Sequence, residues 1–356
     1  MATDPWVQAW GVNAEGQLGN GSTAARQQPA AVTGLARAEV RSLVAGEGFA
    51  VALLADGTVK SWGANGKAQL GNGSTVAQSH PAAVAGLSGV TQVAAGRDHV
   101  LAVEGGRVLA WGDNAHGQLG TGTTGGIQKA PVPVEGLDKV KAVAAGEGFS
   151  LALRQDGTLW AWGWGANGRL GLGATADRPT PQQVPDLTDI AQIAAGTAHV
   201  LALTADGIVQ AWGRGAEGQL GADSVDDSAK PLAVASLDDV SKIFAGGSSS
   251  FALLYDGSLA GWGSNTHGQI GDGTTTDRTT PVTLDTRMGV QSIASGTTHT
   301  IAALDNGSVI GWGANTKAQL GDGTTTTPPA TGSATALPAD SGISRVTAAA
   351  DSSYAY

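Results

Sequence analysis

An all-β fold, a seven-bladed β-propeller of four-stranded antiparallel blades, is predicted by three observations on the 356-residue chain. The dipeptide Trp-Gly recurs at Trp10, Trp62, Trp111, Trp162, Trp212, Trp262 and Trp312, at steps of 49 to 52 residues, so one supersecondary unit is repeated seven times. Each copy closes a short apolar run, and an Asp-Gly or Asn-Gly pair precedes most of them. No stretch carries a helical period.

The strands can be taken in chain order. Trp6–Trp10 matches the third strand of a repeat, so the chain opens in mid-blade. In the unit that contains Trp111, Val90–Ala95 and Val100–Val103 read as the first two strands, Gly105-Gly106 as the turn, and Val108–Trp111 as the third. Other repeats place Asp56-Gly57, Asp156-Gly157, Asp206-Gly207, Asp256-Gly257 and Asn306-Gly307 at that turn. These pairs predict type I′ hairpins, which need positive φ at both central residues. A fourth strand is expected near Pro81–Val84, where proline suits an outer edge with no neighbour awaiting its N–H. The end, Ser353–Tyr356, matches a second strand. Residues 1–356 therefore form one domain whose last blade is shared between residues 1–34 and 343–356.

Composition narrows the function classes. The 55 glycines are about twice the usual share of ~7%. At 41% hydrophobic and 14% charged, the chain has ample material for a core, and it contains no long apolar run. A net charge of −10 without a Lys/Arg cluster argues against a nucleic-acid partner, and nothing suggests a membrane one. The absence of cysteine removes disulfides, thiolate metal sites and cysteine nucleophiles. Gly71–Gly73 and Gly271–Gly273 recur without a strand-to-helix context, so neither implies a nucleotide cofactor; no cofactor or metal is expected. Met1-Ala2-Thr3-Asp4-Pro5 lacks the charged and apolar regions of a signal peptide. Low charge, no cysteine and Ala/Thr-rich turns predict a bacterial exported protein, extracellular or in the cell envelope, and a monomer.

The Trp-Gly, Gly-Gln-Leu-Gly and Asp-Gly phrases, with Ala95-Gly96 followed by His99 and the run Asp113-Asn114-Ala115-His116-Gly117-Gln118-Leu119-Gly120, resemble the regulator of chromosome condensation repeat family over the whole chain. The resemblance implies a seven-bladed propeller and leaves function open. It extends distantly to the secreted bacterial β-lactamase-inhibitor propeller, whose aromatic-rich loop face docks on a partner; the loops here are charged or small. Guanine-nucleotide exchange, known in the family, uses an inserted wedge for which repeats of 49 to 52 residues leave no room.

In an up-and-down blade the loop after strand one and the loop after strand three share a face, and the variable segments concentrate there. The first of these loops lie nearest the axis and read Glu47-Gly48-Phe49, Arg97-Asp98-His99, Glu147-Gly148-Phe149, Thr197-Ala198-His199, Gly247-Ser248-Ser249, Thr297-Thr298-His299 and Ala350-Asp351-Ser352. Four acids and one base around a funnel favour a cationic or mixed ligand. Phe49, His99, Phe149, His199 and His299 share one slot, where packing and ligand contact are both open. Trp164 stands where other repeats hold small or charged residues, which makes it a candidate anchor or a packing partner of Trp160. Asn13, Asn65, Asn114, Asn265 and Asn315 exchange with Gly165 and Gly215, which predicts left-handed backbone there. The expected function is a non-catalytic binding propeller that takes a protein or small molecule through the funnel and loop face. The alternative is an enzyme in which a funnel carboxylate acts as base and Arg97 orients an anion.

Overall fold

A computed structural model describes residues 6–284, 289–329 and 334–356. The Met1–Pro5 start, including its expected lack of a signal peptide, lies outside them. Seven four-stranded antiparallel sheets form the ring. Blades 1 to 6 run from Val40 to Ala83, Val90 to Pro133, Val140 to Gln183, Ile190 to Ala233, Val240 to Leu284 and Val290 to Leu337, each from innermost to outermost strand. Blade 7 takes its inner strands from Val346–Ala349 and Ser352–Ala355 and its outer strands from Trp6–Gly11 and Arg26–Ala36. Trp10 pairs with Ser353 and Ala9 with Tyr354, so the two ends of the chain close the ring by antiparallel pairing. Among the described residues the only helical pieces are two single 3-10 turns, Arg37–Glu39 and Ala166–Gly168.

The core lies between blades. Val51, Leu53, Val59 and Leu70 of blade 1 pack against Val90, Val93, Val100 and Trp111 of blade 2, and the other junctions repeat the pattern. Each Trp of Trp-Gly is buried there, and its indole N–H donates at 2.7 to 3.2 Å to a carbonyl of the preceding blade, at Gln319, Gln17, Gln69, Gln118, Arg169, Gln219 or Gln269. The last Gly of the Gly-Gln-Leu-Gly phrase, or of its variant Ala68-Gln69-Leu70-Gly71, lies under that indole: at Gly71, φ is +63° and a Cβ would stand 2.7 Å from Trp111 Nε1. The repeated phrases therefore encode the junction between blades.

Two local expectations are corrected. At Leu54–Thr58 only Gly57 has positive φ, Gly57 N donates to Leu54 O, and Leu54 N donates to Thr58 O. This is a type I turn closed by a glycine bulge, with the Asp56 carboxylate accepting from Thr58 N and Oγ1. Positive φ at both central residues occurs at Gly105-Gly106, +56° and +77°, where the loop is two residues long. The five asparagines have negative φ. Their buried amides staple the loop: Asn65 Oδ1 accepts from Leu70 N, and its Nδ2 donates to the carbonyls of Ser74 and Val76. In the glycine repeats the loop backbone occupies that space, with Ala176 O 2.2 Å from where a Cβ on Gly165 would be; Asp177 accepts from Gly165 N, as Asp277 does from Asn265 N.

Candidate functional site at the funnel rim

The innermost strands wall a central channel of about 630 Å³, chiefly with Ala, Gly and Val, and among the described residues Phe244 is the one aromatic side chain that lines it. At its mouth the turns after these strands are tied blade to blade by main chain: Glu47 N donates to Arg97 O, Glu147 N to Thr197 O, Thr197 N to Gly247 O and Thr297 N to Ala350 O. The next carbonyl in each turn accepts from the residue after Trp-Gly, as when Trp164 N donates to Gly148 O at 2.7 Å. Both sets of loops thus form one layer.

On this layer the structure brings Glu47, Arg97, Asp98 and Glu147 together. The Arg97 guanidinium bridges three blades, with Nε against Glu47 Oε2 and Nη1 2.5 Å from Glu147 Oε1; Asp98 Oδ2 lies 3.5 Å from Nε. The hydrogen bond to Glu147, backed by the charges of Glu47, Glu147 and Asp98, raises the pKa of Arg97 against the opposing effect of burial. Burial raises that of Asp98, and Arg97 offsets part of the effect. Arg97 is therefore engaged by carboxylates, and the expectation that it orients an anion does not fit this geometry. Asp351, the fourth acid, lies apart and accepts weakly from Gln319 Nε2 at 3.3 Å. The innermost rim is polarised: Glu47, Arg97, Asp98 and Glu147 cluster on blades 1 to 3, while Thr197, Gly247, Thr297 and Ala350 hold the positions equivalent to Glu47, Arg97 and Glu147 with small neutral side chains; Asp351 on blade 7 and the Arg214–Glu217 pair on blade 4 lie outside the cluster.

Phe49, His99, Phe149, His199 and His299 do not reach this surface. All five are 0% exposed at the start of the second strands, tucked against Gly46, Gly96, Gly146, Gly196 and Gly296. His99, His199 and His299 contact Ser150, Ser250 and Ser353 of the next blade through Nε2 at 2.8 to 2.9 Å. Each serine hydroxyl donates onward to a main-chain carbonyl, so Nε2 carries the proton and donates to the serine. Nδ1 is left without a partner, and burial pushes the three pKa values down to about 4, about 4 and about 3. The slot is packing, for imidazole and phenyl alike.

Trp164 is half-buried at the rim and packs on His116 and Arg169; it is not paired with Trp160. Its ring stacks on His116, centroids 4.5 Å apart and 10° from parallel, and Arg169 Cζ stands 4.1 Å from its centroid. Both faces of the indole are taken, which leaves an edge for any partner. Arg169 is a residue that the pattern could have flagged, because it replaces the Gln of Gly-Gln-Leu-Gly. Among the described residues no group of three or more His, Cys, Asp or Glu is placed to hold a metal, and no helix is long and apolar enough to cross a membrane.

Comparison with known proteins agrees with this architecture. The model of the RCC1-like domain matches residues 124–356, and that of the regulator of chromosome condensation (RCC1) repeat matches residues 7–53 and 56–103. The Ultraviolet-B receptor UVR8 of Arabidopsis thaliana is 34% identical over 184 residues, 50% of this chain and 42% of that protein. The E3 ubiquitin-protein ligase HERC2 of Homo sapiens is 31% identical over 184 residues, 49% of this chain and 4% of that protein. The chain thus matches less than half the length of either. The crystal structure of Prp20p from Saccharomyces cerevisiae, described with its binding to Gsp1p and histones, superposes with a TM-score of 0.86 at 26% identity, covering 100% of this chain and 92% of that one. Human WBSCR16, at 23% identity and a TM-score of 0.83, shares the fold over 98% of this chain and 99% of its own. These relatives are plant, human and yeast proteins, and none is a β-lactamase inhibitor.

Proposed function

The chain belongs to the regulator of chromosome condensation repeat family, and on that premise we propose that it is a non-catalytic, protein-binding propeller whose funnel rim holds a cationic segment of its partner. Prp20p, similar along the whole chain, binds proteins, which supports the general reading. The observation that carries the specific one is the polarised rim. Glu47, Asp98 and Glu147 crowd around a single guanidinium, a net negative arc, and the innermost positions that follow it, Thr197, Gly247, Thr297 and Ala350, are small and neutral enough to lie beneath a docked chain. Charge complementarity of this kind speeds encounter and selects partners. An exported, bacterial setting is part of the proposal only through the chain's low charge and lack of cysteine.

The test is binding of a fluorescein-labelled octalysine peptide at low salt. The combined Glu47→Gln, Asp98→Asn and Glu147→Gln variant is expected to bind at least about tenfold more weakly, the equivalent of one charge-assisted pair, with an unchanged melting temperature. Equal affinity in wild type and variant would exclude the rim as the site.

A further inference from the structure

Arg169 stands where the other six repeats have Gln17, Gln69, Gln118, Gln219, Gln269 and Gln319. Each of those glutamines accepts, through Oε1, the N–H two residues upstream at 2.8 to 3.0 Å. A guanidinium has no acceptor to offer, so blade 3 rebuilds its loop. Ala166–Gly168 becomes a 3-10 turn with Asn167 at φ +58°. Arg169 donates from Nε to Ala166 O, from Nη2 to Asn167 Oδ1, and from Nη1 to Glu147 O at 3.0 Å. It is 2% exposed, and the oxygens that these bonds reach are neutral. Phe149 and Trp164 add aromatic support at 5.9 Å and 4.1 Å from Cζ, and the carboxylates of Glu147, Asp177 and Asp227, none of them hydrogen-bonded to it, offset part of the cost of burial. His116 extends the column beyond Trp164, its Nδ1 2.9 Å from Asp177 Oδ2.

A buried cation held by neutral oxygens is an expensive way to replace a glutamine. What the substitution adds is a tie to the rim. Arg169 holds the Glu147 carbonyl, Trp164 N holds that of Gly148, and the Trp164 and His116 rings flank Gly148. The turn of Glu47 has Gln69 below it and lacks that tie. Exposure follows suit: the Glu147 side chain is 27% exposed, against 53% for Glu47 and 50% for Arg97.

We propose that Arg169, with Trp164 and His116 stacked on it, is a positioning residue that fixes the Glu147 turn, so that Arg97 is the side chain that leaves when a partner's cation enters. This rests on the reading of the rim as a cation-binding surface. In the free protein Arg97 is then an internal competitor. A lysine or arginine of the partner displaces it from between Glu47 and Glu147, while Glu147 stays in place.

The octalysine peptide and amide hydrogen exchange test this together. Arg97→Ala is expected to bind the peptide about tenfold more tightly, because the competing cation is gone; weaker binding overturns the displacement. Arg169→Gln is expected to weaken binding by a similar factor and to speed exchange in the 146–149 turn about tenfold, with exchange in the other rim turns unchanged. Trp164→Ala, which leaves the hydrogen bonds of Arg169 possible, should shift both in the same direction and serves if Arg169→Gln folds poorly. Wild-type affinity in both variants overturns the role in binding, and wild-type exchange overturns the positioning. If wild type does not bind the peptide, the rim reading fails and the displacement with it, and the exchange measurement still decides whether Arg169 fixes the turn.

Discussion

Lowering the pH from 7 to 5 is expected to remove about 6 kcal/mol of folding stability through three side chains alone. His99, His199 and His299 are fully buried, donate through Nε2 to a serine of the next blade, and bury an Nδ1 with no partner. A proton on Nδ1 would be an unpaired buried charge, and burial holds the pKa values at about 4, about 4 and about 3. In the unfolded chain each titrates near ~6.5. The unfolded state therefore takes up protons first. Stability is full above the unfolded value, falls as the pH drops below it, and stops falling for these groups at the folded values. Within that window each histidine contributes a slope of about 1.4 kcal/mol per pH unit, which integrates to about 2 kcal/mol by pH 5.

Other groups act elsewhere. Asp56, Asp156, Asp256 and Asp272, with pKa values lowered below 3.8, lose their contribution only in stronger acid. Asp98 and Asp351, raised by burial, act in the opposite sense near the lower end of the window. The assay is urea unfolding followed by tryptophan fluorescence at the two pH values, with a paired variant, His99→Phe and Ser150→Val, that copies Phe49 and Val100 of the preceding junction. Its loss between pH 7 and 5 should be smaller than that of wild type by about 2 kcal/mol. An identical loss in the two proteins would refute the assignment of the acid sensitivity to these junctions.

Two further outcomes follow from the fold. Deleting residues 343–356 removes both inner strands of blade 7, including buried Tyr354, whose hydroxyl donates to Gln17 O at 2.8 Å. The melting temperature should fall by more than about 10 °C, the equivalent of several kcal/mol, and an unchanged melt would show that the ring does not depend on this closure. Asn65→Ala strands Leu70 N and the carbonyls of Ser74 and Val76 in a part-buried loop. A loss of about 2–4 kcal/mol is expected in denaturant titration, and a loss under about 0.5 kcal/mol, usual for a surface site, would mean that the loop satisfies these groups without the amide.

The architecture was legible because the repeat writes each junction seven times: Trp, the glycine beneath it and the glutamine carbonyl it bonds are all in the recurring phrase. Asp-Gly does not by itself set the hairpin type, because the length of the loop around it does. Trp62 lies 13 positions after Phe49 but Trp111 only 12 after His99, and that missing residue is what makes Gly105-Gly106 the two-residue turn. The histidine slot was legible too. The residue 51 positions on is Ser after His99 and His199, and Val after Phe49 and Phe149, a pairing of donor with acceptor and of apolar with apolar. Trp164 could not be read this way, since its second face is filled by His116 from the neighbouring blade, a contact that no spacing announces.

The rim residues separate what the fold needs from what it leaves free. The bonds that tie one rim turn to the next run from main-chain N–H to main-chain oxygen, and they form whether the residue is Glu47, Glu147, Thr197 or Thr297. Closing the ring therefore places no demand on the side chains at those positions, unlike the Trp, Asn and Gln positions, where substitution strands a partner. A charged arc at 47, 97, 98 and 147 cannot be a by-product of building the propeller. The same reasoning applies with more force to Arg169, which gives up a hydrogen bond that the other six repeats make and buries a charge in exchange. Among the described residues, the one hydrogen bond that its side chain makes beyond its own loop is to the turn that carries Glu147, so the selective reason for it should be sought at the rim, and the exchange rate of that turn in Arg169→Gln is the measurement on which this inference stands or falls.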